Sequence, residues 1–204
     1  MILYNIGKAL TLLVAKIFMG YEIVGAQRIP PTGPFIIASN HISLFDPPLI
    51  GSAVSRTCHF LAKKELFSNK IIAKILYSIN AIPVDRGGFN RSIIKDVLNL
   101  LEKGEGIVIF PEGKRSRNLK LGEIKSGIGL LAVKSKATVI PAFIKNSQKG
   151  LKNRLTGSEV IIKFAEPIFP ENIKKLPEGK EGYRELANEV RKRILSLKGD
   201  LRNK

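Results

Sequence analysis

Phe35-Ile36-Ile37-Ala38-Ser39-Asn40-His41-Ile42-Ser43-Leu44-Phe45-Asp46-Pro47-Pro48 is the stretch on which the fold turns. Four apolar residues, preceded by Gly33-Pro34 and followed by a polar cluster, read as a short buried strand. Asp46 followed by Pro47 reads as a helix N-cap with proline at the first helical position. The segment is therefore strand, loop and helix, with His41 in the connection. On a single helix, residues five apart are rotated by about 140° at 3.6 residues per turn and cannot face each other. A loop removes that restriction. His41 can then donate one ring N–H to the Asp46 carboxylate, which fixes the tautomer and leaves the other nitrogen free as a base. By itself the spacing is more often a loop histidine beside an ordinary helix cap, so the rest of the chain has to decide.

Outward from this stretch, strand-like runs at 21–24, 58–62, 81–84, 107–110, 138–144 and 159–164 alternate with helical patterns at 47–54, 71–79, 91–102 and 127–136. The alternation predicts an α/β domain over 21–204: a mixed, largely parallel sheet flanked by helices. Tyr183, Leu186, Val190, Ile194 and Leu197 recur at helical spacing and predict an amphipathic C-terminal helix. In such a fold the chemistry collects in loops at the carboxyl ends of the strands.

The 204 residues suffice for a full core, and 44% hydrophobic composition argues against disorder. The 34 Lys+Arg against 17 Asp+Glu leave a formal charge of +17, which calls for an anionic partner: nucleic acid, an anionic membrane surface or a phosphorylated metabolite. Cys58 is the single cysteine, so an internal disulfide is excluded, and its strand context reads as a buried, inert thiol in a reducing cytosol. Two histidines and one cysteine offer no zinc-ligand spacing, so no metal is expected.

Residues 1–20 are apolar except for Asn5, Lys8, Thr11 and Lys16, which fall largely on one side of a helical wheel. The uncharged run at 9–15 is far short of the roughly 20 residues that span a bilayer. An interfacial, membrane-associating helix fits better, with its lysines snorkelling toward head groups. Packing on the domain is the competing reading. Val24-Gly25-Ala26 resembles a signal cleavage site, but Tyr21-Glu22-Ile23-Val24 reads better as a first strand. The basic loop at 147–157 suits a membrane or an acidic carrier as well as it suits a solvated turn.

Three strand-end loops carry unusual residues. Asp85-Arg86-Gly87-Gly88 pairs charges with glycines that let backbone approach an anion closely. Pro111-Glu112-Gly113-Lys114-Arg115-Ser116-Arg117 ends a strand with a carboxylate, a glycine and three basic residues within four positions, and arginine forks match phosphate oxygens. A nucleotide P-loop fails here, because Val108 stands where its first glycine belongs and Arg115 where its Ser/Thr belongs. Ser126 could cap a helix beside Lys120 and Lys125 as a second anion cradle. Finally, Pro141 within Val139-Ile140-Pro141-Ala142 suggests an edge strand or a bulge.

Asn40-His41 with Asp46, Val84-Asp85-Arg86, Phe110-Pro111-Glu112-Gly113-Lys114-Arg115-Ser116 and Val139-Ile140-Pro141 resemble, in order and spacing, the four blocks of the glycerolipid acyltransferase family, in particular its bacterial 1-acyl-glycerol-3-phosphate members. The resemblance covers roughly 25–144. It implies His41 as general base, Asp46 as its orienting partner, Arg86 and Arg115 as ligands of the acceptor phosphate, and Glu112 and Gly113 as shapers of the acceptor site. Lys63 or Lys64 resembles a basic residue that members place near the site. Lys114 departs from the pattern, which usually has threonine there.

Such an enzyme would move a fatty acyl group from acyl-CoA or acyl carrier protein to the 2-hydroxyl of a lysophosphatidate-like lipid, on the cytoplasmic face of the cell membrane, without a cofactor. The residues agree with that chemistry: a thioester is activated enough that a base and an oxyanion site suffice. A different lyso-lipid acceptor, such as an amino-acid lipid, is the alternative within the enzyme class. A non-catalytic basic binder is the alternative outside it. Against nucleic acid stand the missing recognition motif, the absence of tryptophan and only 7% aromatic residues.

Overall fold

The computed structural model describes residues 2–85, 90–116 and 118–199. Its centre is a seven-stranded sheet of β1 (Tyr21–Val24), β2 (Phe35–Ser39), β3 (Cys58–Lys63), β4 (Ala81–Val84), β5 (Gly106–Ile109), β6 (Thr138–Lys145) and β7 (Val160–Phe164), in the order β1-β7-β6-β2-β5-β3-β4. From β6 to β4 every neighbouring pair is parallel, while β7 runs antiparallel to β6 and parallel to β1. The mixed, mostly parallel sheet is the one the alternation predicts. Its middle strands read as unbroken apolar runs because both faces are covered: β2 and β5 are buried at every position.

One face carries α4 (Arg91–Glu102), α5 (Gly127–Ser135) and α7 (Lys180–Gly199), whose Val97, Leu131 and Val190 pack on Ile36, Ile107 and Val139. The other carries α1 (Ile2–Val14) and α2 (Asp46–Ala53), whose Tyr4, Leu49 and Ile50 pack with Phe35, Ile37 and Val108. Alternation along the strands sorts these residues: Ile36 and Ala38 face one layer, Phe35 and Ile37 the other. A helix α3 (Lys70–Ser78) precedes the edge strand β4, and a short α6 (Pro170–Ile173) leads toward α7.

Gly129 lets α5 pack closely on α7. A Cβ there would lie 2.4 Å from Cα and 2.5 Å from the carbonyl oxygen of Tyr183, both backbone atoms of α7 that cannot turn aside. Gly129→Ala is expected to destabilise the fold by about 1–3 kcal/mol through overpacking, read as a lower urea midpoint at unchanged slope.

Pro141 lies in an interior strand, contrary to the edge expectation. Its missing N–H falls where the β7 ladder is interrupted: Phe164 pairs with Ala142, the chain then leaves the sheet at 165–167, and Ile168 bridges back to Val139. The Pro141 carbonyl still accepts from the Ala165 amide at 2.8 Å. A gap in the partner strand, with no free edge, is what accommodates the proline.

Two helix starts also differ from expectation. Phe45, not Asp46, occupies the N-cap of α2, and the Asp46 side chain makes no capping bond. Ser126 sits at the N-cap of α5 in helical conformation, without a side-chain cap. Among the described residues no helix is long and apolar enough to cross a membrane.

The N-terminal helix is oriented opposite to the snorkelling picture. The Lys8 ammonium donates to the Val54 carbonyl and the Tyr4 hydroxyl accepts from the Cys58 amide, so Tyr4 and Lys8 face the domain, while Asn5 and Lys16 are exposed. Burial lowers the Lys8 pKa below its ordinary value and, outweighing the nearby charges of Lys8 and Arg56, pushes the Cys58 thiol up to about 12. Leu3, Ile6, Leu10, Leu13 and Ile17 point outward, each about half exposed or more. Beside them, against α1 through Ile79 and Gly7, α3 exposes Ile71 and Ile75.

Candidate active site

All strands from β6 to β4 end on one edge of the sheet, and the chemistry-bearing residues of the sequence gather there. His41 and Asp46 follow β2, Lys63 and Lys64 end and follow β3, Asp85 follows β4, and Glu112 to Arg115 follow β5. Arg86 lies outside the described residues.

Asn40 begins the construction. Its side-chain oxygen accepts from the Ile144 amide at 2.8 Å and its nitrogen donates to the Ile144 carbonyl at 2.9 Å, extending the β2–β6 ladder by one side-chain rung. The next residue then has both backbone groups taken by the loop after β5. The His41 amide donates to Glu112 Oε1 at 3.2 Å, and the His41 carbonyl accepts from the Ser116 amide at 2.7 Å. Phe110 stacks on the imidazole with centroids 4.0 Å apart at 20°. The ring is held from backbone and face before its partner acts.

That partner is Asp46. His41 Nδ1 and Asp46 Oδ2 are 2.7 Å apart, and the same oxygen accepts from the amides of Ile42 at 2.7 Å and Ser43 at 2.8 Å. Amides can only donate, so Oδ2 is an acceptor and the shared proton belongs to Nδ1. Nε2 is then the unprotonated nitrogen of a neutral imidazole, able to take a proton. Asp46 is fully buried, whereas the His41 side chain keeps 17% exposure, enough for a substrate to reach. The carboxylate is turned back onto the loop that precedes its helix, which is why it caps nothing.

Glu112 has an equally definite place. Besides the His41 amide, it accepts from the Gly122 amide at 2.7 Å, and it is 8% exposed. Its carboxylate ties the histidine loop to the segment leading to α5. Gly113 adopts φ +72°, and a Cβ there would meet Lys125 Nζ at 2.9 Å, so that ammonium lies against the glycine. Lys114 and Arg115 are exposed, and Arg115 immediately precedes the residue bonded to His41. Lys63 is exposed, and Lys64 sits 3.4 Å from Asp85. His59 lies in β3 near Glu105 and takes no part in this edge. No cluster among the described residues could hold a metal ion.

Three contributors were not picked out from sequence: the Phe110 stack, the Asn40 rung and a hydrogen bond from Ser147 Oγ to Asp46 Oδ1 at 2.5 Å. Phe110 and Asn40 stand inside the quoted blocks and invited the question. Ser147 is 101 positions from its partner, and no local pattern points to it.

Residues 20–145 match the family model described as Acyltransferase. The chain is 32% identical over 184 residues to the 1-acyl-sn-glycerol-3-phosphate acyltransferase of Bacillus subtilis (strain 168), covering 89% of this chain and 90% of that protein. It is 30% identical over 158 residues to the protein of that name from Streptococcus pneumoniae (strain ATCC BAA-255 / R6), covering 76% of this chain and 57% of that one. The crystal structure of the 1-acyl-sn-glycerophosphate (LPA) acyltransferase PlsC from Thermotoga maritima superposes with a TM-score of 0.71 at 26% identity, covering 96% of this chain and 78% of the other. With more than half of its length matched and the His41 loop inside that span, the chain belongs to the acyltransferase family.

Proposed function

We propose that the protein is a 1-acyl-sn-glycerol-3-phosphate acyltransferase acting at a membrane surface. The observation that carries the reading is the His41–Asp46 contact on the carboxyl edge of the sheet, with the exposed Arg115 next in sequence to Ser116, whose amide donates to the His41 carbonyl. The relatives' names supply the acceptor, lysophosphatidate. His41 Nε2 takes the proton of the acceptor's 2-hydroxyl as its oxygen attacks the thioester carbonyl. The tetrahedral intermediate collapses with loss of the thiolate, which recovers the proton from the imidazolium. The products are phosphatidate and a free thiol. Asp46 stays ionised and holds the ring in its working tautomer. Acyl-CoA and acyl carrier protein both suit the +17 surface as donors, since both are acidic.

Membrane docking is supported by apolar exposure beside the site. The outward face of α1 shares a layer with α2, and Leu44 and Phe45, within the His41–Asp46 loop, are 67% and 51% exposed. Exposed apolar side chains in this number mark an interaction site, and a helix of this kind lies in the interface plane. The acceptor lipid then meets the base without leaving the bilayer.

The acceptor assignment is tested at Arg115. Arg115→Ala removes charge-assisted bonds to phosphate of about 1.5–3 kcal/mol and is expected to raise the KM for lysophosphatidate about 10–100-fold with kcat little changed. A lyso-lipid without a terminal phosphate should show no such rise. An unchanged KM for lysophosphatidate removes Arg115 from the phosphate site.

A further inference from the structure

Asp46 is completely enclosed, and a buried carboxylate needs a donor on each oxygen. Oδ2 has three, whereas among the described residues Oδ1 accepts from one group, the hydroxyl of Ser147. Ser147 lies just beyond the matched family span of 20–145. It is 0% exposed, so its hydroxyl can touch neither lipid nor thioester.

The surrounding turn is built to present that hydroxyl. Asn146 leaves β6 in the left-handed region at φ +64°, and its side-chain nitrogen Nδ2 donates to the Glu159 carbonyl at 2.9 Å. Fully buried Asn153 then bridges the turn, donating to the Asn146 carbonyl at 3.0 Å and the Gly150 carbonyl at 2.9 Å. On the other side, Asn40 fixes the end of β6 to the residue before His41. The β6 exit and the His41 loop are thereby one rigid piece, joined by side chains at both ends.

We infer that Ser147 is a positioning residue of the reaction, which holds the Asp46 carboxylate in the rotamer that orients His41. The inference rests on the acyltransferase reading above. Without the hydroxyl, Oδ1 is buried and unsatisfied, and the carboxylate turns away from His41 to find a donor. The lost bond is charge-assisted, so kcat falls about 10–100-fold, while the KM of both substrates stays within about twofold because Ser147 contacts neither.

The test compares Ser147→Thr with Ser147→Val, near-isosteres that differ in the hydroxyl, in purified protein whose melting is followed in parallel. Ser147→Ala serves where the added methyl group prevents folding. Thr is expected to retain most of kcat and Val to lose it, with Ala behaving as Val. Combined with Asp46→Asn, Ser147→Ala should add less than about a twofold further loss, since Ser147 acts through that carboxylate. Equal kcat for Thr and Val, a wild-type kcat for Ala, or a loss that multiplies fully on Asp46→Asn would overturn the inference. A wild-type protein that transfers no acyl group instead removes the reading on which it rests.

Discussion

His41→Ala is expected to lower acyl transfer by about 10²–10⁴-fold, the range that a positioned general base contributes, and to leave the fold standing. The loss falls on the chemical step because the substitution removes Nε2 while sparing the loop. The His41 amide and carbonyl keep their bonds to Glu112 and Ser116, and Asp46 keeps the amides of Ile42 and Ser43 and the hydroxyl of Ser147. What the fold gives up is one bond to a charged group, about 1.5–3 kcal/mol, and a stacking contact with Phe110. At about 2–4 °C per kcal/mol for a chain of this size, the variant melts earlier but remains folded at assay temperature. Full turnover in the folded variant would remove the base.

The second large effect concerns the membrane. In Ile6→Glu/Leu10→Glu/Leu13→Glu, three outward side chains of α1 that are 56–58% exposed lose their reason to enter a bilayer. Burying a whole side chain contributes about 1.5–3 kcal/mol, and the exposed half of each adds about 1 kcal/mol on docking. Three together amount to about a 10²-fold fall in partition onto anionic vesicles, before the repulsion of the new carboxylates is counted. Transfer to lysophosphatidate in vesicles should fall with it. Transfer to a short-chain, monomerically dissolved acceptor should stay, because the inward stripe of Tyr4 and Lys8 that seats the helix is untouched. Unchanged vesicle binding would assign the apolar face another role.

The sequence made the sheet readable because its strands are short apolar runs between turn residues, and buried parallel strands have no polar face to obscure them. The His41–Asp46 pair was readable as spacing, but its geometry came from outside the stretch. Asp46 looks like a cap in isolation, yet its carboxylate is captured by two preceding amides and by Ser147, just past the end of the neighbouring strand β6 and 101 positions away in sequence. Glu112 looks like a ligand in a basic loop and is occupied by two backbone amides. Lys8 looks like a head-group contact and points inward. In each case a tertiary partner tens of residues away decides the side chain's direction, and periodicity carries no record of it. Of the two readings of Pro141, the edge fails for a related reason, since the strand is interior and it is the partner strand that breaks.

The most direct measurement follows purified protein on anionic vesicles with lysophosphatidate and a long-chain acyl thioester, detecting phosphatidate and free thiol together. The account predicts both in a one-to-one ratio from the wild-type chain and a yield of each lower by about 10²-fold or more from His41→Ala. Thiol release without phosphatidate, or equal yields from the two proteins, would contradict it.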